Sequence, residues 1–127
     1  MNLAGTLYER LGGHAGILKL IKPFYADVRQ HAVIGPIFNS HITDWPAHLE
    51  KITEFWVLQT GGESTYRGGF ARAHLGLGLE PEHFQHWLGL WEWNNARALA
   101  TQEAGEMNLL ARQFGGRLFA ITRNRPN

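Results

Sequence analysis

Apolar residues recur along most of this chain at steps of three and four positions, the spacing that places side chains on one face of an α-helix. The clearest run predicts a helix from Ala15 to Gln30. Pro23 within it predicts either a kink or a later start, because proline removes a backbone donor and clashes with the preceding turn. No stretch shows the strict alternation that indicates a strand. The pattern therefore predicts an all-α chain with four substantial helices and two short ones.

Capping residues and glycines predict where the other helices begin and end. Thr6 and Glu9 have the spacing of a capping box, and Gly12-Gly13 ends a very short first helix. Thr43-Asp44 before Trp45-Pro46 predicts the start of another helix. That helix should end near Gln59 and be followed by a long loop over 61–69, while the segment over 33–38 should form a tight helical turn or loop. Two further helices are predicted, from Pro81 to about Ala100 and from about Gln102 to Thr122. Gly115-Gly116 within the last helix predicts close packing there.

Composition limits the classes of protein to which the chain can belong. A length of 127 residues predicts a single domain, with its core over about 6–123. The formal net charge of +1 lacks the excess of positive charge that is typical of proteins that bind nucleic acid or an anionic membrane. The chain has no cysteine, which excludes disulfides and thiolate metal sites. With no signal peptide and no long apolar segment, we expect a cytoplasmic protein with neither nucleic-acid nor membrane partners.

Seven histidines and five tryptophans supply most of the candidate chemistry. His74 lies between flexible glycines and a leucine-rich stretch, although a lone apolar histidine is more often a satisfied core residue than a ligand. His83 and His86 have a spacing that would allow metal binding with a third ligand, but neither an HExxH motif nor a carboxylate-plus-histidine pattern accompanies them. We interpret these two as surface residues.

Four residues on or beside apolar stripes stand out as polar groups that need partners: Tyr25, His48, His74 and Trp87. A buried polar group without a partner costs about 1–3 kcal/mol, so four of them in one small core favour a shared partner. A haem would serve, because its iron accepts one imidazole while a ligand on the opposite face accepts hydrogen bonds. Separate internal hydrogen bonds for each group remain an alternative.

At these residues the chain resembles the truncated haemoglobins, and its pattern is most like the third group of that family. The N-terminal sequence LYERLGG is closer to the first and second groups. The pattern covers about Phe24 to Trp91 and consists of Phe24-Tyr25, Val28-Arg29, Gly35-Pro36-Ile37-Phe38-Asn39, Trp45 with His48, Phe55-Trp56, Tyr66 with Gly68, His74-Leu75, and Phe84 with Trp87-Leu88.

The resemblance implies a truncated globin-like two-over-two helical sandwich that encloses a haem b. It implies His74 as the axial iron ligand and Phe38 packed on the porphyrin. Tyr25, His48 and Trp87 would form a distal polar cage. The same resemblance implies further haem contacts from Phe24, Ile52, Phe55, Phe70, Leu75 and Trp87, with Lys51 and Arg72 pairing with the propionates.

The function that the resemblance implies is binding of dioxygen and other small diatomic ligands at an iron that can be pentacoordinate. The polar cage would suit oxygen or nitric oxide redox and detoxification chemistry. One alternative is an enzyme, a nitric oxide dioxygenase or a peroxidase-like protein, served by an electron-donor reductase. Another is a helical interaction module without cofactor. Residues alone leave open the physiological ligand, the redox partner and the oligomeric state.

Overall fold

The computed structural model describes residues 5–69, 74 and 78–123, with side chains described as far as Leu118. Within these ranges every regular element is an α-helix, which confirms the predicted all-α class. Of the helices that lie within the described ranges, four are long and two are short, which agrees with the prediction. They are α1 (Leu7–Arg10), α2 (Gly13–Gln30), α3 (Gly35–His41), α4 (Trp45–Thr60), α5 (Pro81–Ala98) and α6 (Thr101–Arg123).

The predicted caps are present at the starts of α1 and α4. Thr6 accepts a hydrogen bond from the Glu9 amide at 3.1 Å, and Glu9 accepts one from the Thr6 amide at 3.0 Å, which completes the capping box. The Asp44 side chain accepts a hydrogen bond from the Ala47 amide at 3.1 Å. Gly61 then ends α4 in the left-handed region, with φ of 101°, where a side chain would be strained. The boundaries of both helices therefore follow from local sequence.

Two helices differ in detail from the expectations. α2 begins at Gly13, well before Pro23, so the later start is not observed and the proline lies inside the helix. Pro23 is exposed, which lets water solvate the carbonyl that has lost its donor. The segment over 33–38, predicted as a tight helical turn or loop, enters a longer helix, α3, of which Gly35 is the first residue. A Cβ at Gly35 would lie 2.7 Å from the carbonyl oxygen of Arg29, so α3 packs against the end of α2 at a distance that needs glycine.

The long helices pack as two layers of two, which is the predicted two-over-two sandwich. α2 packs on α4 and on α5, and α5 packs on α6. Between the layers lies a stack of three indole rings: Trp56 and Trp91 have centroids 4.6 Å apart at 19°, and Trp91 and Trp87 are 5.2 Å apart at 14°. Trp56 and Trp91 are fully buried, while Trp87 is half-buried at one end of the stack. Burial of such large rings stabilises the contact between α4 and α5.

Gly115 and Gly116 lie side by side in α6 but play different roles. A Cβ on Gly115 would lie 2.1 Å from Cζ of Phe84, so the close packing predicted for this pair holds at Gly115. A Cβ on Gly116 would meet nothing within 4 Å. Only the first glycine is needed for the contact between α5 and α6.

Among the described residues, no helix combines the length and the apolar character needed to cross a lipid bilayer.

Candidate functional site

Tyr25 lies at the centre of the site, on the face of α2 that points into the molecule. Its side chain is buried, with 6% of its surface exposed. The phenol ring contacts Phe38 of α3 at a centroid distance of 5.9 Å and Trp45 of α4 at 6.1 Å. The Tyr25 side chain therefore extends from α2 to the place where α3, α4 and α5 come together.

The indole N–H of Trp87 donates a hydrogen bond to the Tyr25 hydroxyl oxygen, across 3.4 Å. Burial raises the pKa of Tyr25 to about 12, although the Trp87 hydrogen bond acts in the opposite direction. The phenol is therefore protonated at neutral pH and keeps its own hydrogen to donate. Within the described residues, that hydrogen has no acceptor. A buried O–H donor that lacks an acceptor is costly unless a ligand supplies one.

His48 lies on α4, half-buried, with its ring edge-on to Trp45 at 5.6 Å. Burial lowers the pKa of His48, and the positive charges of Lys51 and His74 lower it further. The imidazole is therefore neutral near pH 7 and has one N–H to donate and one nitrogen to accept. Its position agrees with the prediction that it shares a face with apolar residues.

His74 is half-buried and near enough to His48 for its charge to act on that imidazole. His48 precedes the loop that follows α4, and His74 lies after it in the sequence. Three predicted haem contacts, Phe70, Arg72 and Leu75, lie outside the described residues.

The apolar residues predicted to contact haem fall into two sets, one buried and one half-buried. Phe24 is fully buried and holds the site from the core side, edge-on to Tyr25 at 4.8 Å and to Trp87 at 5.2 Å. Phe55 is also buried and packs edge-on against Phe114 at 5.3 Å. The half-buried members, which keep part of their apolar surface accessible, are Phe38, Ile52 and Trp87, while Lys51 is exposed.

The residues present fit a haem. His74 supplies an imidazole of the kind that holds iron in globins, and half-buried apolar side chains on α3, α4 and α5 supply a surface for a flat apolar ring. Tyr25 supplies a buried donor without an acceptor. This last observation favours a shared ligand over the alternative in which each polar group has its own internal partner.

Sequence reasoning missed one member of the site, Trp45. It was named at the start of a helix and in the resemblance pattern, but not as a site residue, yet its ring contacts those of both Tyr25 and His48. The guanidinium of Arg29 covers the same ring at 4.5 Å from its centroid. The spacing of Trp45 and His48, three residues apart on one helix, was the available signal.

The two histidines interpreted as surface residues do not form a metal site in the described part of the chain. His83 accepts a hydrogen bond from the Glu80 amide at 3.0 Å and so caps α5. His86 is half-buried, 5.0 Å from the ring of His31. No group of three possible metal-binding side chains occurs among the described residues.

Comparisons with known proteins agree with this fold. The model of the bacterial-like globin family matches residues 6–113. A group 3 truncated hemoglobin of Campylobacter jejuni is 41% identical over 81 residues, which span 60% of this chain and 64% of that protein. A group 1 truncated hemoglobin of Tetrahymena pyriformis is 31% identical over 66% of this chain and 69% of its own length. The crystal structure of the group III truncated hemoglobin from Campylobacter jejuni has a TM-score of 0.82 at 29% identity, and the alignment covers 91% of this chain and 94% of that one.

Proposed function

The chain belongs to the bacterial-like globin family, and from that premise we propose that it is a haem protein that binds dioxygen and other small diatomic molecules. The observation that carries the proposal is the buried Tyr25 hydroxyl, which keeps a hydrogen to donate and has no acceptor among the described residues. A small ligand with a partly negative atom would supply that acceptor.

We assign the haem contacts as follows. His74 holds the iron, because it is the half-buried imidazole on the loop side of the site. Phe38 packs on the ring, and Lys51, exposed one turn along α4 from His48, pairs with a propionate. The other assigned contacts are Phe24, Ile52, Phe55, Phe70, Arg72, Leu75 and Trp87, and the cofactor is haem b.

When bound, haem supplies an iron atom with a coordination position open to a small molecule. Tyr25 then acts as the principal donor to that molecule. Trp87 orients the phenol by donating to its oxygen, so the two groups act in series. His48 is neutral and half-buried, and it completes the polar side of the site near the solvent.

The buried donor favours oxygen or nitric oxide redox and detoxification chemistry over oxygen carriage. A hydrogen bond to a charged acceptor contributes about 1.5–3 kcal/mol, and such gains appear mostly as slower release. A protein that releases oxygen slowly is a poor carrier. Turnover as a nitric oxide dioxygenase or peroxidase-like enzyme would need an external reductant.

The experiment that tests the proposal is an absorption spectrum of the protein expressed with added haem precursor. We expect a red protein with a Soret band, from which acidified organic solvent extracts haem b. His74→Ala should lose most of the colour, and His74→Gly should regain its bands when free imidazole is added, since imidazole can occupy the space of the missing side chain.

His41→Ala removes an exposed imidazole from α3 and serves as the matched control, with an unchanged spectrum expected. A colourless wild-type protein would contradict haem binding. A His74→Ala spectrum identical to that of the wild type would contradict the assignment of His74.

A further inference from the structure

Away from the proposed haem site, three titratable side chains from three helices form a continuous hydrogen-bonded chain. The Tyr8 hydroxyl of α1 lies 2.5 Å from Nδ1 of His14 on α2. Nε2 of the same imidazole lies 3.2 Å from a carboxylate oxygen of Glu54 on α4. The order is phenol, imidazole, carboxylate, and the proposed haem chemistry uses none of the three groups.

The chemistry of the two ends fixes the direction of the hydrogen bonds when the imidazole is neutral. An ionised carboxylate only accepts, so Nε2 must carry the hydrogen that Glu54 receives. The other nitrogen, Nδ1, then bears a lone pair and accepts the hydrogen of Tyr8. His14 is therefore placed as a base for the phenol.

Glu54 is held as the negative end of this chain by the loop that follows α4. Its carboxylate accepts hydrogen bonds from the Thr65 amide at 3.0 Å and from the Ser64 hydroxyl at 2.9 Å. These contacts, with the Thr65 amide as the largest contribution, lower the pKa of Glu54. A carboxylate that stays ionised stabilises a positive charge on the neighbouring imidazole.

The other two tyrosines of the chain lack this arrangement. The sequence contains three tyrosines. Tyr25 is buried and its oxygen accepts the hydrogen bond of an indole, while the Tyr66 hydroxyl has no hydrogen bond within the described residues. Tyr8 is the one whose phenolic hydrogen points at a base.

We propose that Tyr8, His14 and Glu54 form a redox site in which Tyr8 is a one-electron donor to small oxidising radicals such as nitrogen dioxide. The oxidant takes one electron from the phenol and becomes an anion, nitrite in this example. The phenolic O–H bond breaks as the proton moves to Nδ1 of His14, which leaves a neutral tyrosyl radical and an imidazolium beside the Glu54 carboxylate. An external one-electron reductant, such as ascorbate, restores the phenol when the proton returns.

The surroundings of Tyr8 suit such a site. The ring is half-buried, and the His14 side chain is 48% exposed, so small oxidants and reductants can approach. The Tyr8 ring packs against Gly62, where a Cβ would lie 2.6 Å from Cδ1, and this contact fixes the orientation of the phenol towards His14. The site is independent of the proposed haem, because the electron passes directly to the small oxidant.

The proposal is tested by one-electron oxidation of the purified full chain with a photogenerated ruthenium(III) tris(bipyridine) complex, followed by freeze-trapping and electron paramagnetic resonance. We expect a tyrosyl signal that narrows when the tyrosines carry ring deuterium. Tyr8→Phe should lose this signal, and Tyr66→Phe, the matched control, should keep it. A base in the right position typically accelerates a proton-coupled step by roughly 10²–10⁴-fold, so His14→Gln should slow radical formation at least about tenfold.

Glu54→Gln serves as a second variant, because it keeps the phenol and the imidazole while it removes the negative charge. A reduced radical yield is expected in it, and circular dichroism checks that each variant keeps its helices. A tyrosyl signal undiminished in Tyr8→Phe would overturn the proposal. So would radical formation in folded His14→Gln at the wild-type rate.

Discussion

At the scale of single residues, the hydrogen bond between Trp87 and Tyr25 determines what each can do for a ligand. The indole donates to the phenol oxygen at 3.4 Å, so it is the phenol that keeps a hydrogen for another acceptor. The resemblance implied a polar cage to which both residues belong. Their hydrogen bond adds that Trp87 donates to Tyr25 and so orients it.

We predict that Tyr25→Phe, which removes that donor, speeds oxygen release from the haem-loaded protein by about 10- to 150-fold, the equivalent of about 1.5–3 kcal/mol. Trp87→Phe should have a smaller effect, and the double variant should resemble Tyr25→Phe alone, because Trp87 acts through Tyr25. Stopped-flow mixing measures all three rates, with Tyr66→Phe as the control. Independent effects that add in the double variant would show two parallel donors.

At the scale of the helices, the contact between α5 and α6 depends on the small size of Gly115. We predict that Gly115→Ala lowers the free energy of unfolding by about 1–3 kcal/mol, as overpacking in a dense core does. The added methyl group would also displace Phe84 from its stack on Trp87, where the ring centroids are 5.7 Å apart. Urea unfolding measures the loss.

Gly116→Ala is the matched comparison, because its Cβ would meet nothing within 4 Å. The alanine improves helix propensity there, so we expect a gain of up to about 1 kcal/mol. Equal effects at the two positions would contradict the role given to the Phe84 contact.

The first and last helices are joined by Arg10 of α1, which donates to Glu103 at 2.6 Å and to Glu106 at 2.7 and 2.9 Å. These hydrogen bonds lower the pKa of Glu106 in the folded state. A carboxyl whose pKa is lowered by folding stabilises the protein above its ordinary pKa of about 4.3, and this contribution is lost as the pH falls through the lower folded value.

We therefore predict that Arg10→Gln lowers the melting temperature near pH 7, and that its difference from the wild type disappears in acid once Glu106 is protonated. Thermal scans across pH test this, with Arg112→Gln as the control. Arg112 pairs with Glu92 on an exposed face between α5 and α6, so its loss should matter less. A difference in melting temperature that stays constant into acid would contradict a stabilising role for the contact of Arg10 with the Glu106 carboxylate.

At the scale of the whole molecule, the helices were predictable where local chemistry decides them. The capping box at Thr6 and the stripe of α2 depend on neighbours in the sequence, and both were predicted correctly. The start of α3 was not predicted, because the need for glycine at position 35 arises from its close approach to the Arg29 carbonyl oxygen. That approach exists only after α2 and α3 have packed.

The candidate site divides in the same way. The need for partners at Tyr25, His48, His74 and Trp87 could be inferred from their positions beside apolar stripes. The hydrogen bond between Trp87 and Tyr25 joins residues 62 positions apart in the sequence. Which of the two donates depends on how α2 and α5 pack against each other. The roles of Tyr8, His14 and Glu54 were likewise hidden, because each appears alone in the sequence as an ordinary surface residue.

The stack of Trp56, Trp91 and Trp87 has an optical consequence. Transition dipoles in chromophores 4.6 and 5.2 Å apart couple. Because the ring planes are tilted by 19° and 14°, we expect the coupled dipoles to be skewed, which gives the circular dichroism of the native protein an exciton couplet, two adjacent bands of opposite sign. Trp91→Phe removes the middle chromophore and should abolish the couplet, whereas Trp93→Phe, at a position that is 54% exposed, should leave it intact. The couplet therefore reports whether the two helical layers are correctly packed against each other.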